Sequence, residues 1–432
     1  MVKSKDIYKT SRFLYILEAM FEYFIALLCG GAYIAKLSTS LGISDGVTGI
    51  LTAVVSLGGT FQIVAIFLAQ KRQVKRLVTF LHTLNQLAFT LVYFTPFFPL
   101  SALGKTILFV IFLVLGNVVN SIVNSPKQTW YMSLVDDEKR GDFTATKEIV
   151  SLMGSMVFTF VMSSIIDSFE AKGNLNGAFI FCGIAIFVLA ILHTCTLIFS
   201  KEKPAIDKEK TPLSTTVKRI FKNKNLWKII VVMCFWDTVF YGIISFFGTY
   251  QIKELGFSMT FVSMLSILYA IVRSLASKPL GRLADKRSFK TMLTVCYLVH
   301  VLGFVFAMFT IPSNGKIFFT IYYSLHAIAL GGANSATINL VYDYVPKEDR
   351  MGAFALSKSV SGTVGFLVTL AMRPLVEYIQ GNGNTFLGMQ VYAQQVLASF
   401  GAILLILAII YLNTVVRKMK KPQISGFDTP LE

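Results

Sequence analysis

Twelve stretches of mostly apolar residues follow one another along the 432-residue chain, near 13–35, 46–69, 76–97, 106–130, 143–167, 175–199, 226–250, 258–281, 289–311, 317–344, 352–378 and 387–415. Each is long enough to cross a hydrocarbon layer of roughly 30 Å as a helix, which takes about 20 residues at a rise of about 1.5 Å each. Short polar segments separate them, except for one longer polar stretch beginning at Ser200. The pattern predicts an all-α membrane protein of twelve transmembrane helices in two pseudo-symmetric six-helix bundles. The expected divisions are an N-terminal bundle at 1–199, a basic linker at 200–225, a C-terminal bundle at 226–415 and a tail at 416–432. Within the linker, Thr215 to Lys222 can form a short basic amphipathic helix on the membrane surface; a solvated tether is the alternative.

Composition sharpens this picture. Hydrophobic residues make up 54% of the chain and charged ones 15%, too few charges for a water-facing surface. The net charge of +17 would suggest nucleic acid in a soluble protein, but 33 of the 40 Lys and Arg fall in segments on one side of the apolar stretches. That side carries both termini, and the bias predicts that it is cytoplasmic. Lys36, Lys105, Lys172, Lys253 and Lys316 lie in the opposite loops, and Arg273 and Arg373 lie inside spans. Basic loops also attract anionic lipid headgroups. The five cysteines sit within spans as packing residues, and the first apolar run is too long for a cleaved signal.

The chain also repeats itself. Gly31-Ala32-Tyr33 matches Gly248-Thr249-Tyr250, and Leu41 to Ser44 matches Leu255 to Ser258. The segment Leu68-Ala69-Gln70-Lys71-Arg72 echoes Gly281-Arg282-Leu283-Ala284-Asp285-Lys286-Arg287, and the cluster around Arg140 echoes that around Arg350. Separations of 217, 214, 215 and 210 residues mean one unit written twice, the plan of a transporter with its substrate site between the halves.

These residues resemble the major facilitator superfamily over nearly the whole chain. The family loop pattern G-x-L-A-D-[RK]-x-G-[RK]-[RK] is matched best by Gly281 to Lys290, with Ser288 and Phe289 departing from it, whereas the earlier copy has Ile66 for the glycine and Gln70 for the acid. The resemblance implies alternating access about a central cavity lined mainly by spans 1, 4, 7 and 10. It also implies a conformational latch of Gly281, Asp285, Lys286, Arg287, Arg140 and Arg350, with Asp285 the acid that engages a neighbouring helix end. The glycine- and proline-rich exporter motif of span 5 is missing, as is the sugar-porter signature after span 6.

Ionisable groups at membrane depth are costly and so point to function. Glu18 and Glu22 lie one turn apart on one face of span 1, where two carboxylates disfavour joint ionisation and suit proton exchange. Lys147 is the structural partner expected for Glu18. Asp237 occupies the middle of span 7 with Tyr241 on its face, and Arg273 of span 8 is its expected partner. Span 4 carries a stripe of Asn117, Asn120 and Asn124, extended by Gln128; span 10 carries Asn334, Asn339 and Asp343, with Lys358 the partner expected for Asp343. Such amides can bind hydroxyl-rich solutes or tie helices together. Trp130 and Trp236 can face a ring substrate or pack between helices.

His82, His193, His300 and His326 show no ligand spacing, so neither metal nor cofactor is expected, and no enzyme motif is present. The expected function is a secondary transporter, not an enzyme, that moves a small polar, sugar-like solute across the cell membrane, with protons and lipid as further partners and a monomer as the working unit. The rival readings are efflux of amphipathic cations and a membrane sensor or scaffold that does not transport.

Overall fold

The computed structural model describes residues 6–69, 73–136, 140–203, 213–345 and 349–419. Helices α1 (Lys9–Leu28) and α2 (Gly31–Ser40) form the first span, bent by 42° at their junction. Spans 2 to 6 are α3 (Asp45–Ala69), α4 (Lys75–Phe94), α5 (Ala102–Met132), α6 (Arg140–Ala171) and α7 (Leu175–Phe199). The linker contributes α8 (Leu213–Lys222). Span 7 begins as α9 (Lys224–Asp237) and continues irregularly through the one-turn α10 (Phe247–Thr249) to Glu254. Spans 8 to 12 are α11 (Met259–Lys286), α12 (Phe289–Met308), α13 (Gly315–Asp343), α14 (Arg350–Gly381) and α15 (Ala393–Tyr411). Nine helices among the described residues are long and apolar enough to cross a membrane, or ten with the bent first pair; α3, apolar over Asp45–Phe61, and the more polar α13 match the remaining expected stretches.

Local chemistry sets the helix starts. Ser101, Asn174, Ser258 and Ser288 each accept a hydrogen bond from the backbone N–H three residues on, satisfying a donor that the helix cannot. The last predicted span starts too early. Residues 387–392 are apolar enough to look like helix, but Thr385–Phe386 and Met389–Gln390 pair as a small antiparallel hairpin, with Leu387 and Gly388 at positive φ in the turn.

Packing divides between the halves. One apolar cluster draws its buried residues from 220–419 apart from Ala32, centred on Trp236, Phe246, Tyr297 and Phe304. Two others lie below residue 200, apart from Met259. The periphery is inverted relative to a soluble protein: Ile184, Phe187, Val188 and Ile191 on α7 and Ile403, Ile406 and Ile410 on α15 point outward at helical spacing. An outer surface of this kind is matched by lipid tails.

Within the linker, α8 is helical and seated on the C-terminal half. Ile220 is buried, Arg219 pairs with Asp349, and the Asn223 amide donates to the Tyr344 carbonyl at 3.1 Å.

Candidate transport cavity and buried charge network

The two repeats are interrupted at equivalent places. Span 1 breaks at Gly30 and Gly31, the latter at φ +50°, and span 7 turns through π and 3-10 geometry over Thr238–Ile243, Ile244–Phe246 and Tyr250–Glu254. Matched interruptions in the two halves mark where a backbone lines a cavity instead of facing lipid. A cavity of about 440 Å³ lies there, lined from span 1 by Leu27, Gly30 and Tyr33, from span 7 by Tyr241, Ser245 and Gln251, and from span 10 by Tyr322 and His326. Among the described residues, no Asp, Glu, Lys or Arg lines it. A second cavity of about 380 Å³ shares Leu27, Thr159, Ser266, Tyr269 and Tyr323 with the first. It continues along Glu148, Ser151, Arg273 and Ser277 toward the face that bears the termini.

At the other face the halves are fastened together. Lys253 reaches Asp45 at 2.5 Å, Gln380 donates to the same carboxylate at 2.8 Å, and Ser44 donates to Glu377 at 2.8 Å. Asp167 accepts from the backbone N–H groups of Met259 and Thr260 at 2.9 and 2.7 Å, where its charge also complements the start of α11. Gly248 approaches its repeat equivalent so closely that a Cβ on it would lie 3.1 Å from the Gly31 carbonyl oxygen. Two equivalent residues in contact must straddle the axis relating the repeats. Deeper in the seam, the Thr60 and Thr363 hydroxyls meet at 2.7 Å.

A buried charge network lies beside the first span. The Lys127 ammonium donates to Glu18 at 2.8 Å and to Glu22, and His193 meets the same Glu18 oxygen at 2.8 Å. Glu18 and His193 are fully buried, whereas the Glu22 side chain keeps 17% of its exposure. Glu18 therefore does not pair with Lys147, whose amine lies 3.2 Å from Glu148 and over the Tyr15 ring. Lys127, which its position near the end of span 4 groups with the loop cations, is 2% exposed inside α5. The spacing from Asn120 and Asn124 to Lys127 was the available signal, since it continues one helical stripe. Glu18, Glu22 and His193 place ligand atoms within 4.8 Å of one another, but the ammonium already stands where a metal ion would bind.

In the other half, Asp237 is 2% exposed and accepts from Ser361 and, at 3.4 Å, from Lys358. The expected Asp237–Arg273 pair does not form. Arg273 instead lies against Tyr269, 3.4 Å from its hydroxyl, and borders the second cavity. Close approach of α14 explains the change, because a Cβ on Gly365 would lie 2.7 Å from the Asp237 carbonyl oxygen and Lys358 is two turns away on that helix. Lys358, expected near Asp343, is thus found at Asp237.

The matched family model, described as Major Facilitator Superfamily, covers residues 13–369 and 251–428. The chain belongs to the major facilitator superfamily. Its fold agrees with solved members at low sequence identity. The nucleoside transporter NupG aligns with a TM-score of 0.70 at 13% identity, over 95% of this chain and 99% of that one. A D-xylose-proton symporter aligns at 0.69 and 13%, over 92% and 96%, and a bacterial homologue of the human lysosomal transporter Spinster, inward-facing and unoccupied, at 0.66 and 15%, over 96% and 98%. No curated protein matches by sequence.

The superfamily's expected cavity helices 1, 7 and 10 line the first cavity, but span 4 lines neither; α6 and α11 take its place. Asn117 is turned back on its own helix, donating to the Leu113 carbonyl at 2.8 Å; Asn120 is partly buried with an oxygen that meets no partner, and Asn124 is exposed. On α13, Asn339 donates to the Ser335 carbonyl, Asn334 is exposed and Asp343 is half-buried near the helix end. Trp236 stacks on Tyr297 at 5.5 Å inside the C-terminal core, and Trp130 donates to the Lys201 carbonyl. Among the expected site residues, Tyr241 reaches the first cavity and Arg273 the second.

The superfamily loop motif is helical here, with Gly281 to Lys286 forming the end of α11 and Arg287 its cap. Asp285, Lys286 and Arg287 are exposed. Arg350 opens α14 and packs on Tyr342, while Arg140 is the first residue of α6. Gln70, Lys71 and Arg72 lie outside the described residues.

Sequence reasoning missed the histidines. His193 joins Glu18, His82 packs 5.0 Å from His193, and His326 pairs with His300 at 3.1 Å on the wall of the first cavity. His82 and His300 are separated by 218 residues, close to the repeat separation, and that was the signal available.

Proposed function

We propose that this protein is a proton-coupled carrier of a small, uncharged polar solute, with the halves 1–199 and 226–415 rocking about the seam between them. The observation that carries this reading is the pair of adjoining cavities on that seam, fastened at one face by Asp45, Asp167 and Glu377 and continuing toward the other. With the basic loops placed in the cytoplasm, the arrangement is an inward-facing state in the cell membrane with both termini inside. Exposed Asp285 is then a latch residue released in this state and engaged when the outer face opens.

The cargo is uncharged because the first cavity offers no counter-ion. An ion stripped of water there would lose several kcal/mol with nothing to offset it. Proton coupling falls to Glu22, the accessible member of the Glu18–Lys127–Glu22 network. When Glu22 takes up a proton, Lys127 retains Glu18, so the charge change occurs without stranding the ammonium.

Uptake into proteoliposomes under an imposed pH gradient tests this reading. A gradient is expected to raise the wild-type rate and to have no effect on the rate of Glu22→Gln. Equal wild-type rates with and without the gradient would remove the coupling, and no flux of any neutral solute would remove the carrier.

A further inference from the structure

The C-terminal wall of the first cavity holds neutral polar groups that the protein itself leaves unmet. Ser245 Oγ and Tyr322 Oη are buried, border the cavity and meet no hydrogen-bond partner among the described residues. His326 is 5% exposed and borders the same space. Its Nδ1 lies 3.1 Å from Nε2 of His300, a fully buried ring whose own Nδ1 meets no partner.

That contact fixes which proton faces the cavity. One hydrogen occupies the space between two neutral rings. Were it carried by His326 Nδ1, His300 would hold its remaining proton on Nδ1, a buried N–H without an acceptor. Carried by His300 Nε2, it leaves only a bare lone pair on His300 Nδ1, the less costly defect, since orphaned buried N–H groups are the rarer of the two. His326 then keeps its proton on Nε2, the nitrogen left for the cavity. The flat faces of Tyr322 and Phe240 flank the His326 ring, with centroids at 5.9 and 6.1 Å and interplanar angles of 17° and 25°.

Building on the carrier reading, we propose that the first cavity binds an uncharged planar heterocycle bearing a carbonyl and hydroxyl groups, the chemistry of a nucleoside. His326 Nε2–H donates to the ring carbonyl and sets specificity. His300 is a positioning residue that holds the donor tautomer. Tyr322 and Phe240 stack beside the ring, and the Ser245 and Tyr322 hydroxyls exchange hydrogen bonds with the solute hydroxyls.

Two measurements on the full-length protein in nanodiscs test the proposal. Nitrogen-15 spectra of histidine-labelled protein report the tautomer directly, and an Nε2-protonated His326 is expected; an Nδ1-protonated ring would overturn the donor role. Calorimetric titration uses uridine, D-xylose and tetraphenylphosphonium as probes. Uridine is expected to bind more tightly than the other two, with affinity falling roughly tenfold or more in His326→Leu and His300→Phe and staying within a few-fold in His326→Gln, which keeps an N–H. Uridine affinity unchanged in His326→Leu, or binding of the sugar or the cation in preference to uridine, would overturn it. His326-dependent uridine binding without uridine counterflow in proteoliposomes would count against the carrier reading alone and leave this site standing.

Discussion

Lys127 is almost fully enclosed by apolar helices, yet it is held by two carboxylates at once, and this sets the energetics of the N-terminal half. Removing one partner of a buried pair strands the other, at a cost of about 3–5 kcal/mol. Lys127→Met is therefore expected to destabilise the purified protein by about 3 kcal/mol or more, because Glu18 loses its ammonium. Adding Glu18→Gln to that variant should recover much of the loss in thermal unfolding, and a double variant as unstable as the sum of the singles would deny the pairing. Lys358→Met should cost less, about 1–3 kcal/mol, since its contact with the buried Asp237 is 3.4 Å long and Ser361 still donates to that carboxylate. Glu18, Glu22 and Asp237 stood out in the sequence because a carboxylate in an apolar span is costly, whether it serves function or a structural ion pair. Their partners did not, since Lys127, His193 and Lys358 are brought to them by helices 109, 175 and 121 residues distant. The asparagines misled for a related reason: an amide such as Asn117 can satisfy itself on its own helix, and spacing alone does not distinguish that from a cavity wall.

At the scale of elements, the broken spans 1 and 7 do most to shape the cavity. The close approach of Gly248 to Gly31 is backbone against backbone, so a side chain there cannot be accommodated by a rotamer change. Gly248→Leu is expected to push the fastened face apart. The measurement is labelling of Thr52→Cys, a cavity position, by an impermeant thiol reagent applied from that face. Its rate should rise several-fold over the same cysteine in the Gly248 background, and an unchanged rate would show that the contact does not close the cavity. The expected apolar stretches and the helices agree in order along the chain, because each run of apolar residues must be satisfied within one helix. The π and 3-10 turns of span 7 left no such trace, since Phe240, Tyr241, Phe246 and Phe247 suit a regular helix equally well. The hairpin at 385–390 was hidden in the same way by its apolar Leu387 and Met389.

For the whole molecule, the repeat written in the sequence accounts for apolar packing centred within each half, a seam between the halves and a contact between equivalent glycines at the axis. Membership of the superfamily gives the fold, while the side chains beside the seam differ between the halves: the Glu18–Lys127–Glu22 network belongs to one, and the aromatic wall around His326 to the other. The carrier cycle proposed above has the seam open alternately at its two ends. Spin labels can follow both ends in the protein reconstituted in lipid, one pair at the exposed positions Ser40 and Met389 and a second at Lys201 and Lys286 on the face bearing the termini. Double electron–electron resonance should give two populations for each pair, with the short distance at one face accompanying the long distance at the other, and their balance should shift with pH and be fixed by Glu22→Gln. A single unchanging distance at both faces under every condition would contradict the account.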